Sequence, residues 1–235
     1  MGQDLAIREV KLSAQRFQYP TRLSNAQDLG LDRKTGDECV LIIDDDERMR
    51  DALLNLLQSV GLRARVFSSA VELLGLQLPD APSCFVIDIR LPQISGLDFQ
   101  SYLVKANIRV PIIFVTGHAD IPMTVQAMKA GATDFLTKPF REQDMLDAIA
   151  RALEMDRTRL AREERARQVA TCAQTLTQKE REVLELVTSG LLNKQIAGKM
   201  GISEATVKLH RAQVVKKMGA KSLADLVRMA DLLQP

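Results

Sequence analysis

Tryptophan is missing from this chain, aromatic residues make up only 4% of its 235 residues, and there are only three cysteines. Cys39, Cys84 and Cys172 are an odd number with no metal-ligand spacing, which disfavours a disulfide framework or a cysteine metal centre. Buried, reduced thiols in a cytoplasmic protein are expected. A redox pair between Cys39 and Cys84, which open two neighbouring strand-like runs, is the sharper alternative. Also missing is any apolar stretch approaching the roughly 18 residues of a membrane span. Met1-Gly2-Gln3-Asp4 is not followed by the apolar core of a secretory signal. No membrane association is expected.

What is present suits a globular protein: 46% hydrophobic and 26% charged residues, in a chain long enough for two cores. The net charge of +2 conceals an asymmetry. Residues 37–141 carry 10 Lys and Arg against 13 Asp and Glu, whereas 176–235 carry 10 against 6. An acidic part joined to a basic part points to a metal-binding or regulatory domain attached to a nucleic-acid binder.

Four short apolar runs each end in polar residues. Val40-Leu41-Ile42-Ile43 leads into Asp44, Asp45 and Asp46, and Cys84-Phe85-Val86-Ile87 into Asp88. Pro111–Val115 ends in Thr116, and Phe135-Leu136-Thr137 in Lys138-Pro139. Runs of this kind read as strands buried on both faces of a parallel sheet, whose carboxyl ends are where ligands sit. Helix-like stripes alternate with the strands: Leu53, Leu56, Leu57 and Val60; Ser69–Leu76; Leu97–Ala106; Met123–Ala130; and a segment from about Arg141 past Leu153. Strand and helix alternating five times predicts a doubly wound α/β domain. Residues 1–36 read as a flexible leader with one weak helix around Leu5–Phe17, or equally as the product of a mis-assigned start. The stretch Arg151–Arg167 either continues the last helix of the α/β domain or is a solvated linker, and it reads as a partly helical linker rather than a coiled coil, because its a/d pattern fails after Leu160.

Several carboxylates at one sheet edge repel one another unless a cation balances them, and oxygen ligands suit Mg²⁺. Asp44, Asp45 and Asp88 are the expected ligands, with Asp46 turned toward the helix that follows. Lys138 and Thr116 decide what the metal is for. A structural cation site gains nothing from an ammonium, whereas a site receiving a phosphoryl group does. Asp88, at the end of a central strand, is the expected nucleophile.

Taken together, VLIIDDDERMR, CFVIDIRLPQISGLDF and PIIFVTGHADIPMTVQAMKAGATDFLTKPF resemble the receiver domain of bacterial response regulators. The resemblance spans about residues 37–155 and implies a flavodoxin-like fold with a five-stranded parallel sheet. It implies that Asp44 and Asp45 hold Mg²⁺, that Asp88 becomes an aspartyl phosphate, and that the backbone carbonyl of Arg90 completes the metal site. Thr116 would bond the phosphoryl oxygen, and Lys138, before a cis Pro139, would pair with it. Phe135 matches the aromatic switch position, which an ordinary core aromatic would also fill. Arg90 and His118 lie where the family varies near the attacking water, where their bulk would slow hydrolysis, although a lone loop histidine such as His118 reads more readily as a solvated side chain.

The basic part starts at Leu176. Thr177 with Glu180 forms a capping box, Asn193, Ser203 and Ser222 are expected N-caps, and four short helices result. Lys194–Met200, Gly201-Ile202 and Ser203–Met218 have the helix-turn-helix layout, with Lys208, His210, Arg211, Lys216 and Lys217 on the long helix and Val207, Val214 and Met218 on its packed side. LTQKEREVL, NKQIA, ISEATVKLHR and KMGAKSLADLV resemble the LuxR-type output domain of the NarL/FixJ family over 176–235. That resemblance makes Lys194, Thr206, Lys208, His210, Arg211 and Lys216 candidate DNA contacts, although any one lysine is equally read as a solvated charge. The last helix, Leu223–Leu233, would pair with its twin in a dimer or pack on its own core.

The chain thus reads as an α/β receiver (37–155), a linker (156–175) and an all-α helix-turn-helix domain (176–235), forming a transcriptional regulator rather than an enzyme. A sensor histidine kinase, double-stranded promoter DNA and a second copy of the chain after phosphorylation are the expected partners. Two rivals stand beside this reading: a constitutive DNA binder whose receiver only dimerises, and a Mg²⁺-dependent phosphatase or phosphotransferase. The latter needs a second acid or another general base beside the nucleophile, where Arg90 stands.

Overall fold

The computed structural model describes residues 38–74, 78–117 and 121–233. The expected leader and His118 lie outside the described residues. The chain divides into two compact units, Met1–Thr158 and Arg159–Pro235.

In the first unit, β1 (Cys39–Ile43), β2 (Arg63–Phe67), β3 (Ser83–Asp88), β4 (Ile112–Thr116) and β5 (Asp134–Thr137) form one parallel sheet in the order β2-β1-β3-β4-β5. Every residue of β1, β3 and β4 is buried, as their unbroken apolar runs require when both faces are covered. Side chains alternate between two cores. Leu41, Ile43, Phe85, Ile87 and Phe114 pack with Phe99 and Leu103 of α2 (Gly96–Lys105) and Ala127 of α3 (Ile121–Lys129). Val40, Ile42, Val86, Ile113 and Val115 pack with Leu53 and Leu57 of α1 (Glu47–Ser59) and with Met145 and Ile149 of α4 (Glu142–Gln174). The strand order reverses between β1 and β3, so the crevice beyond their carboxyl ends is where such a sheet places a ligand.

The same alternation disposes of the cysteine pair. Cys39 stands opposite Ser83 in the register and faces the first core, whereas Cys84, one step on, faces the second. The sheet lies between the two thiols. Burial pushes both thiols above their ordinary range, which keeps them protonated and inert.

Three expectations change. The helix expected over Ser69–Leu76 is, among the described residues, a single 3-10 turn, Ala70–Leu73. Val60 caps α1 instead of joining its buried stripe and is half exposed. Of the two readings of the linker, a solvated stretch or a continuation of the last helix of the α/β domain, the structure has the second. The helix runs without a break to Gln174 rather than only in part. No Gly or Pro occurs between Pro139 and Gly190, and Arg159–Glu163 and Glu164–Gln168 pair at helical i,i+4 spacing. The end of α4 carries apolar residues as well: Val169 is buried in the core of the second unit, with Cys172 and Ala173 packed against it.

The second unit continues with α5 (Gln178–Thr188), α6 (Asn193–Met200), α7 (Glu204–Met218) and α8 (Leu223–Asp231). The Thr177–Glu180 capping box forms, and Ser203 and Ser222 accept from the amides of Thr206 and Asp225 at their helix starts. Val207, Val214 and Met218 are buried, as the α7 pattern requires. In α8, Leu226 is buried, and Met229 and Ala230 pack on the same core, while Leu223 is half exposed.

Asn193 is not a cap. Leu192 occupies that position, and its amide donates to Gln195 Oε1 at 2.8 Å. Asn193 lies inside α6, where its carboxamide serves another partner.

Candidate functional site

Asp44 follows β1 and Asp88 ends β3, so adjacent parallel strands deliver two carboxylates to one edge. Both are buried, Asp45 beside them is exposed, and carboxylate oxygens of the three lie within 4.8 Å of one another. Lys138, just beyond β5, reaches across to place Nζ 2.6 Å from Asp44 Oδ2 and 2.7 Å from Asp88 Oδ2. The remaining oxygen of each buried acid is held by backbone. Asp46 N donates to Asp44 Oδ1 at 3.0 Å, and Arg90 N donates to Asp88 Oδ1 at 2.8 Å.

Burial pushes the Asp44 carboxyl above its ordinary range, and the hydrogen bond from Lys138 offsets only part of that. Burial also works against a charged Lys138. The hydrogen bonds to Asp44 and Asp88 outweigh it and hold the ammonium above its ordinary range. Three carboxylates against one ammonium leave an excess of negative charge on hard oxygen donors. That donor set fits a small divalent cation.

Asp46 does turn away. Its Oδ1 accepts from Arg48 N at 2.9 Å, capping α1. Thr116 ends β4 with no exposed surface, and its carbonyl accepts from Lys138 N at 2.8 Å, which sets hydroxyl and ammonium on neighbouring strand ends. The Lys138–Pro139 peptide is cis. Phe135 on β5 is half-buried against the first core.

Two residues that sequence reasoning passed over shape this site. Arg50, in the first turns of α1, donates from Nη1 to the carbonyls of Asp44 and Asp45 at 2.7 and 3.0 Å. It clamps the acidic loop from behind, and its only sequence signal was a basic residue six positions after the first acid. Gly96 opens α2 against the end of β3. A Cβ there would lie 2.7 Å from the Asp88 carbonyl oxygen and 3.0 Å from Ile89 Cα. Only a bare backbone approaches the Asp88 strand end so closely.

In the second unit, Lys194 on α6 and Lys208 and Lys216 on α7 are exposed. No carboxylate pairs with these three lysines among the described residues. His210 is half-buried, and Thr206 Oγ1 shares a 2.9 Å hydrogen bond with the Ser203 cap. Arg211 donates from Nη1 to Asn193 Oδ1 at 2.6 Å. Lys217 turns inward, 2.6 Å from Glu180 Oε2 and 3.2 Å from the Thr175 carbonyl. Leu209, between two basic positions, is a further surface residue of α7, 61% exposed despite being apolar.

Comparisons with known proteins cover both units. Residues 40–150 match the response regulator receiver domain, and residues 174–230 match the bacterial regulatory proteins of the luxR family. Nodulation protein W of Bradyrhizobium diazoefficiens is 51% identical over 194 residues, 83% of this chain and 86% of that protein. The transcriptional regulatory protein FixJ of Rhizobium meliloti is 42% identical over 194 residues, 83% of this chain and 95% of that protein. Among solved structures, the response regulator StyR matches with a TM-score of 0.71 at 43% identity, covering 83% of this chain and 98% of that one. An acidic crevice at the strand reversal, a basic helix-turn-helix and relatives matched across both place the chain in one family: it belongs to the transcriptional response regulators that join a receiver domain to a LuxR-type DNA-binding domain.

Proposed function

We propose that Asp88 is the phosphoacceptor of a cytoplasmic two-component switch and that a sensor histidine kinase is the donor. The observation that carries this is Lys138 Nζ lying between Asp44 and Asp88 with Asp45 alongside. In the transfer, a carboxylate oxygen of Asp88 attacks phosphorus as the bond from phosphorus to the kinase imidazole nitrogen breaks. The nitrogen keeps the electron pair, and an acyl phosphate forms on Asp88. Asp44, Asp45, Asp88 and the backbone carbonyl of Arg90 would hold Mg²⁺, which when bound neutralises charge on the transferring oxygens. Lys138 pairs with a phosphoryl oxygen and Thr116 donates its hydroxyl to another.

The new acceptor oxygens favour a conformation with Thr116 drawn inward and α3 and β5 shifted, which biases an existing equilibrium. Ile121, Val125 and Met128 of α3, spaced i, i+4, i+7, are 82%, 44% and 44% exposed. A stripe of this kind supports dimerisation through that face after phosphorylation. Lys194, Thr206, Lys208, His210 and Lys216 would then meet duplex DNA, the exposed lysines at phosphates and the early turns of α7 at base edges, while Arg211, turned to Asn193 Oδ1, stands outside that set.

The test combines acetyl phosphate and Mg²⁺ with wild type and Asp88→Asn. Wild type gains a phosphate label, a dimer and tighter DNA binding, and Asp88→Asn gains none of these. Equal DNA binding with and without donor would remove the switch from this reading.

A further inference from the structure

The two helices of the helix-turn-helix are joined at one end by covalent chain. Gly201 ends α6 in the left-handed conformation at φ 65°, and Ser203 caps α7 two residues later. A second tie lies well away from that turn. Asn193, in the first turn of α6, accepts at Oδ1 from Arg211 Nη1 of α7 at 2.6 Å, although eighteen positions separate them. Between the two ties, Ile196 of α6 and Val207 of α7 are both fully buried in the shared core. Apolar packing is non-directional and leaves two helices some freedom to roll. A charge-assisted hydrogen bond at the far end removes it. Neither side chain has another polar partner among the described residues.

We infer that the Asn193–Arg211 pair is a positioning device for DNA recognition, which sets the pose of α7 in the major groove rather than supplying one more phosphate contact. This rests on the proposed reading of α7 as the helix that enters the groove. A phosphate contact adds affinity on every sequence and contributes to the salt dependence. A pose-setting pair acts through the base contacts of its neighbours. Its loss therefore falls on the specific site and leaves binding to arbitrary sequence and the salt slope intact. Arg211 reaches Asn193 from Nη1, one bond farther along the side chain than a lysine ammonium stands, so lysine does not replace it.

The experiment uses the full chain with Mg²⁺ and acetyl phosphate, a duplex enriched by wild type from a random-sequence pool, and a shuffled duplex. Asn193→Ala, Arg211→Ala, Arg211→Lys and the Asn193→Ala/Arg211→Ala double variant are titrated across a salt series, with circular dichroism melts as the check on folding. Each variant should bind the enriched duplex about tenfold more weakly, the scale of one misplaced base contact. Binding to the shuffled duplex and the salt slope should stay at the wild-type value. The double variant should lose no more than either single one, because the two residues act as a unit. A salt slope lowered by about one in Arg211→Ala, with Asn193→Ala silent, makes Arg211 a phosphate contact and overturns the inference. Additive losses overturn it too. If wild type enriches no sequence and binds both duplexes alike, the reading of α7 itself fails, and the inference fails with it.

Discussion

Lys138 Nζ lies 2.7 Å from Asp88 Oδ2, an ammonium set against the carboxylate proposed to receive phosphate. The same nitrogen also touches Asp44, so one side chain from the end of β5 balances the acids at the ends of β1 and β3. Lys138→Met removes this countercharge from two buried carboxylates. The first unit should then lose about 1–3 kcal/mol of stability without Mg²⁺. The gap to wild type should narrow as Mg²⁺ is added. Denaturation followed by circular dichroism with and without Mg²⁺ measures both, and a deficit untouched by Mg²⁺ would refute the shared-countercharge account.

Arg50→Ala frees the carbonyls of Asp44 and Asp45 from the guanidinium that holds them. The ligands themselves remain. Supporting residues of this kind are worth about tenfold or more in metal affinity. Calorimetric titration with Mg²⁺ should show weakening on that scale, with Arg50→Lys intermediate because the ammonium keeps the charge and the donors on a side chain one bond shorter.

Gly96→Ala introduces a methyl 2.7 Å from the Asp88 carbonyl oxygen, where the obstacle is backbone. The strand end or the start of α2 has to shift. A cost of about 1–3 kcal/mol follows from overpacking, together with slower labelling of Asp88 by acetyl phosphate. Wild-type values for both stability and labelling rate would show that the contact relaxes freely.

Acid should loosen the second unit through Glu180. Hydrogen bonding to Lys217 and to the Thr177 amide holds this buried carboxyl below its ordinary value of 4.5. A depressed folded value means the stabilisation is complete above 4.5 and disappears as pH falls through that value toward the lower folded one. Glu180→Gln should therefore be less stable than wild type at neutral pH. The difference should shrink below pH 4.5, as melting temperatures across a pH series will show.

Much of the site was legible because burial on both faces forces continuous apolar runs, and such runs show where strands end. Asp44, Asp88, Thr116 and Lys138 stood out as the polar residues closing those runs. Asp46 was separable because an acid at a helix start has a local use. The Thr177–Glu180 capping box was equally readable, being an interaction within four residues. What escaped was non-local. Arg50 looked like any exposed helix arginine, because nothing in its own neighbourhood says that its guanidinium folds back onto carbonyls. Asparagine before a helix is usually its cap, so local pattern assigns Asn193 that role, which Leu192 takes instead. The partner of Asn193, Arg211, is beyond the reach of local pattern.

The sequence by itself determined which chemical groups gather at the sheet edge and which helices carry positive charge, since alternation, apolar runs and capping are short-range consequences of backbone geometry. Only the tertiary structure decided which oxygen each donor takes. Parallel register put Cys39 and Cys84 on opposite faces of the sheet. The strand order also brought Lys138 to two acids at once, and the packing of α6 on α7 carried Arg211 to Asn193 rather than to solvent. Those partnerships depend on distances between elements far apart in the chain, and packing sets such distances only when the whole unit has folded.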